Sequence, residues 1–102
     1  MSKDLYISSL LDIYGRFLSE KQKSLTEHYY NEDLSLSEIA ENEGITRQGV
    51  SDNIRRAESK MRVWEEECGF CESFLRLKEL SLDAEKGSSA AIKEILEIIN
   101  NL

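Results

Sequence analysis

Apolar residues recur along this chain at helical spacing, and five breaks divide them into six stretches. Over residues 4–18, Leu5, Leu10, Leu11, Tyr14, Phe17 and Leu18 share one broad stripe. Ser19 then offers an N-cap, with Gln22 three residues on to complete a capping box. The helix that follows, over 20–31, turns Leu25, His28 or Tyr29, and part of Tyr30 inward, and Asn31-Glu-Asp33 makes the next turn. Ser35 with Glu38 forms a second capping box and opens a third helix, which Gly44 ends. Thr46 opens a fourth, running to about Glu66 with Val50, Ile54, Ala57, Met61 and Trp64 on one side. Cys68-Gly69-Phe70-Cys71 interrupts the pattern. A fifth helix over 71–86 carries Phe74, Leu75, Leu77, Leu80 and Leu82. After Gly87-Ser88-Ser89, a sixth over 89–101 holds Ile92, Ile95, Leu96, Ile98, Ile99 and Leu102. The expected fold is therefore all-α.

The third and fourth stretches carry landmarks of a helix-turn-helix. Ile39 and Ala40 lie on the inner face of the first helix, and Ala40 is small enough for a close crossing. Gly44 suits a tight left-handed turn, Ile45 plugs it, and Val50 and Ile54 aim one face of the second helix at the core. The opposite face offers Arg47, Gln48, Ser51 and Arg55. The expected architecture is a trihelical or tetrahelical helix-turn-helix core over 1–66 with a C-terminal helical extension over 67–102.

Composition narrows this. A chain of 102 residues supports one modest core, and the absence of Pro with only five Gly agrees with helices on short connections. No run of about 18 apolar residues exists, so no membrane span is expected. The N-terminus lacks the layout of a signal peptide, which points to the cytoplasm. The net charge of −7 is unusual for a nucleic-acid binder. Its distribution matters more: residues 1–43 carry four basic and nine acidic side chains, and residues 63–102 carry four and nine again. Residues 44–62 carry five basic (Arg47, Arg55, Arg56, Lys60, Arg62) against Asp52 and Glu58, a local +3. The one basic segment coincides with the candidate recognition helix. Screening over about 8 Å at physiological salt lets it act despite the acidic bulk, at modest affinity.

Several motifs stand out: Tyr14-Gly15, Leu18-Ser-Glu-Lys-Gln-Lys23, Tyr29-Tyr30, Asp33-Leu-Ser-Leu-Ser-Glu-Ile-Ala-Glu41 and Gly44-Ile-Thr-Arg-Gln-Gly-Val-Ser-Asp-Asn-Ile-Arg-Arg-Ala-Glu58. Together they resemble the YlxM family of bacterial helix-turn-helix proteins, whose DNA-binding-like part is similar to region four of sigma factors. The resemblance covers roughly residues 4–62; the C-terminal third matches only in its helical, acidic character. Gly49 departs from it, since the pattern expects Ala there. Genes of this family tend to sit beside those for the signal recognition particle and its receptor. The resemblance thus implies a regulatory role in that targeting pathway.

The nucleic-acid-binding residues expected are Thr46, Arg47, Gln48, Ser51, Asp52, Arg55 and Arg56, contacting DNA or the RNA of the signal recognition particle. Asp52 repels phosphate, but can accept from a cytosine amine or orient Arg55 or Arg56 through an ion pair. The alternative is a scaffold that keeps the shape while its acidic helices bind a protein such as the targeting GTPase. Trp64, Ile92, Ile95, Leu96 and Ile99 are expected to support a homodimer, against simple packing within the chain. Cys68 and Cys71 have neither the strands of a redox fold nor four zinc ligands, and are expected to be reduced thiols; a Cys₄ site shared by two copies is the less favoured reading. His28 has no acidic or nucleophilic companion at motif spacing. No constellation for catalysis and no cofactor site is expected.

Overall fold

The computed structural model describes residues 3–102. Among the described residues six helices follow one another: α1 (Leu5–Tyr14), α2 (Glu20–Tyr30), α3 (Leu36–Glu43), α4 (Arg47–Cys68), α5 (Phe70–Glu85) and α6 (Ser89–Asn100), with a 3-10 turn at Gly15–Phe17. No strand occurs among the described residues, and none of their helices is long and apolar enough to cross a membrane. The chain divides into two compact units, one ending at Glu67 and the other spanning Cys68–Leu102.

Side-chain caps set the helix starts. Asp4 accepts from the Tyr6 N–H at 3.0 Å and opens α1. Ser35 and Glu38 close a full capping box at α3, at 3.1 and 3.2 Å. At α2 only half of the expected box forms. Ser19 accepts from the Gln22 N–H at 3.2 Å, but the Gln22 carboxamide oxygen accepts from Lys60 Nζ at 3.1 Å and is drawn away from the cap. The expected first stripe also breaks. Leu10, Leu11, Tyr14 and Leu18 are buried together with Ile7, whereas Leu5 and Phe17 remain exposed. The tighter winding at Gly15–Phe17 changes the rotation of the stripe. Phe17 consequently meets the edge of Trp64, its ring centre 6.2 Å away.

Three helices make the heart of the first unit. Leu25 and Tyr29 of α2, Ile39 and Ala40 of α3, and Val50 and Ile54 of α4 are buried against one another. Leu34, Leu36, Ile45 and Tyr30 pack around them. The α3–α4 turn closes at Gly44, with φ 67° and ψ 31°, and the N–H groups of Gly44 and Ile45 both donate to the Ala40 carbonyl. The shaft of α4 is tied down by polar contacts. Tyr30 donates to Glu58, Tyr14 donates to Glu65 at 2.6 Å, and Arg62 pairs with Asp4 at 3.1 Å. Trp64 packs within this unit, against Tyr14 as well as Phe17.

In the second unit α5 and α6 pack together, with Arg76 of α5 bridging to Glu94 of α6 at 3.1 Å and to Glu79 at 3.0 Å. Gly69, at φ 65°, separates α4 from α5 and starts α5 in the left-handed conformation. The unit buries only Cys71, Leu80 and Ala91 among its apolar side chains. Phe70, Phe74, Leu75 and Leu82 of α5 and Ile92, Leu96 and Ile99 of α6 stand 39–60% exposed.

Two glycines give a paired stability prediction. A Cβ at Gly44 meets no atom within 4 Å, but its positive φ strains any L side chain, so Gly44→Ala should cost about 1 kcal/mol. A Cβ at Gly49 would lie 3.1 Å from Thr46 Oγ1, and the exposed threonine can yield by that small amount. Gly49→Ala should therefore stabilise by up to about 1 kcal/mol through helix propensity. Thermal unfolding reads both, at roughly 4–8 °C per kcal/mol.

A third variant tests the α2–α4 tie. Burial, and then the Glu58 hydrogen bond, push the Tyr30 phenol above its ordinary pKa of 10.0. Its contribution is fully present below that value and is lost as pH rises through the higher folded-state value. Tyr30→Phe should cost about 1–2 kcal/mol near neutrality and flatten the loss of stability at alkaline pH, as measured by urea unfolding across a pH series.

Candidate nucleic-acid interface

The first turns of α4 present the polar face that the helix-turn-helix leaves uncovered. Thr46 caps the helix by accepting from the Gly49 N–H at 2.9 Å. With Val50 and Ile54 turned into the core, Arg47, Gln48, Ser51 and Arg55 fall within roughly 100° of one another around α4. Together with Leu36 of α3 they line one shallow groove. Leu36 and Arg47 also border a second depression, which includes Lys3, Asp33, Ser35 and Glu38.

The two depressions differ in their charge. In the second, Lys3 is held by Asp33 at 2.6 Å and lies over the Tyr29 ring, 4.5 Å from its centre. The Lys3 ammonium holds the Asp33 carboxyl below the usual carboxylate range. In the first, Arg47 and Arg55 are exposed and form no ion pair among the described residues. Arg56 is likewise exposed and unpaired, but it lies further round the helix and outside the groove. Lys60 and Arg62, counted from sequence in the same basic segment, are used inside the fold by Gln22 and Asp4. Of this segment, the groove therefore keeps two unpaired arginines, Arg47 and Arg55, with Arg56 exposed beyond its edge.

Two expected placements change. Ser51 does not project from the outer face: at 7% exposure it forms the floor of the groove, because the α3 side chain Leu36 stands beside it. Asp52 does not pair with Arg55 or Arg56. It accepts from Gln48 Nε2 at 2.9 Å, one turn back on the same helix. That bond fixes the orientation of the Gln48 carboxamide and keeps one carboxylate at the edge of the basic face.

His28 lies elsewhere in the first unit and has acidic neighbours that the sequence reading did not assign. Its Nδ1 meets Glu32, one turn on, and its Nε2 lies 3.5 Å from Glu43 of α3. The Glu32 contact was visible as an i, i+4 spacing, whereas Glu43 arrives only through tertiary packing. Cys68 is exposed and Cys71 buried, with no disulfide between them. Among the described residues no group of three His, Cys, Asp or Glu side chains is arranged to hold a metal ion.

Comparison with known proteins finds similar sequences over nearly the whole chain. A family profile described as "UPF0122: Putative helix-turn-helix protein, YlxM / p13 like" matches residues 1–101. A UPF0122 protein of Desulforamulus reducens is 40% identical over 96 residues, covering 94% of this chain and 70% of its own length. One from Shouchella clausii is 37% identical over 102 residues, covering 100% of this chain and 92% of the relative. One from Fusobacterium nucleatum is 39% identical over 97 residues, covering 94% and 91%.

Proposed function

The chain belongs to the UPF0122 family of YlxM/p13-like helix-turn-helix proteins, and on that premise we propose that it is a nucleic-acid-binding regulatory protein of the cytoplasm. The observation that carries this reading is the coincidence of unpaired arginines with the groove of the helix-turn-helix. In this reading Arg47 and Arg55 neutralise phosphates, aided by the amino-terminal end of α4 with its Thr46 cap. Gln48, oriented by Asp52, reaches base edges. Ser51 supports the groove floor, and Arg56 adds a flanking phosphate contact. The ligand is duplex DNA or the RNA of the signal recognition particle; the latter fits the targeting pathway that the family resemblance implies. The protein acts by binding and carries out no chemistry of its own.

A second reading draws on the other end of the chain. Residues 63–102 carry a net −5, and α5 and α6 expose apolar side chains beside those acids. This surface suits docking on a basic protein partner such as the targeting GTPase, with no nucleic acid involved.

A salt series on labelled targeting RNA and on random duplex DNA separates the two readings. Each phosphate neutralised contributes a log–log slope of about 0.9 on duplex DNA. Changing Arg47 and Arg55 together to Ala should lower the slope by about 2 and weaken binding at least tenfold. Asp52→Asn should strengthen binding severalfold at low salt and less at high salt, since it removes a carboxylate that repels phosphate. A flat slope, or binding indifferent to the arginine changes, contradicts the nucleic-acid reading. Capture of the GTPase that survives those changes, but is lost on removing residues 71–102, supports the adaptor.

A further inference from the structure

On α6, Ala91 is buried and Ile95 and Ile98 are half-buried, while Ile92, Leu96 and Ile99 are 50–56% exposed. At 3.6 residues per turn these last three fall within about 60° of one another. They form a continuous apolar strip at i, i+4 and i+7 spacing, on a unit of two helices too small to enclose it.

We propose that this strip packs antiparallel against the same strip of a second copy of the chain. The charges beside it identify the occupant. Lys93 and Glu97 are exposed, lie on one flank of the strip, and form no ion pair among the described residues. The remaining α6 acid, Glu94, is already held by Arg76. A two-fold axis that sets two helices antiparallel brings like flank to like flank and reverses its direction. Lys93 of each copy then faces Glu97 of the other, giving two ion pairs. The centre of the strip and the midpoint of Lys93 and Glu97 differ by only about 1 Å of helical rise. Parallel packing offers no such match, because its two-fold runs along the helices and sets this flank against the opposite flank of the other copy, where Ile95 and Ile98 lie. The strip therefore carries, in the right order, the counter-charges needed to meet itself.

One helix from each copy makes an interface at the small end of specific contacts, below about 1,200 Å² in total, so the dimer is weak and dissociates in the micromolar range. The dimer carries two copies of the α4 groove, one for each nucleic-acid contact proposed above. Self-association through α6 does not depend on that use.

Sedimentation equilibrium of the full chain, from nanomolar to high micromolar concentration, tests the proposal. Wild type should pass from monomer to dimer. Leu96→Lys, at an exposed position, should stay monomeric throughout with unchanged helicity by circular dichroism. Lys93→Glu and Glu97→Lys should each weaken dimerisation by about tenfold, and the two together should restore it to near wild type. A monomeric wild type, a dimeric Leu96→Lys variant, or a double variant that stays weak would each overturn it.

Discussion

The crossing of α3 on α4 is the constraint on which the first unit depends. Ala40 is small enough to let the helices approach, and Gly44 takes the left-handed conformation that turns the chain within a few residues. Once the crossing is set, Val50 and Ile54 must face Ile39, Leu25 and Tyr29, since no other arrangement buries them. Everything polar on the first turns of α4 is then forced outward or to the edge. The groove between Leu36 and Arg55 is thus a consequence of how the core closes.

Electrostatics decides how such a surface can be used on an acidic chain. The formal charge of −7 opposes approach to a polyanion, but screening limits that opposition to charges near the contact. What matters locally is which cations are free. Lys60 and Arg62 hold α4 to α2 and α1, while Arg47, Arg55 and Arg56 remain without acidic partners among the described residues. The proposed contact surface is smaller than the charge count along the sequence suggested, and more sharply confined to the helix-turn-helix. Asp52 tempers it further while fixing Gln48.

Periodicity and capping chemistry make the helices legible in the sequence. The Ser35–Glu38 box, the Thr46 cap and the Gly44 turn are local devices, each set by residues within a few positions of one another. Most of the failures are tertiary. Gln22 abandoned its cap for Lys60, and Phe17 left the stripe when the chain tightened after Gly15. Ser51 sank beneath Leu36, and Glu43 came to His28 from another helix. Those of Gln22, Ser51 and His28 depend on a partner distant in sequence, which spacing alone cannot supply; that of Phe17 follows from a local change of winding that periodicity does not encode. Membership of the candidate site was partly readable, because the helix period gathers Arg47, Gln48, Ser51 and Arg55 on one arc. Which of the basic residues would remain unpaired was not readable.

The central claim is that the first turns of α4 are where this protein meets nucleic acid. Backbone amide shifts followed by nuclear magnetic resonance, as duplex DNA or the targeting RNA is added, test it residue by residue. The account predicts that the largest changes fall on Thr46 to Arg56 and on Leu36, and that they fade as salt is raised. Changes confined to residues 70–102, or none at concentrations where binding is saturated, would contradict it.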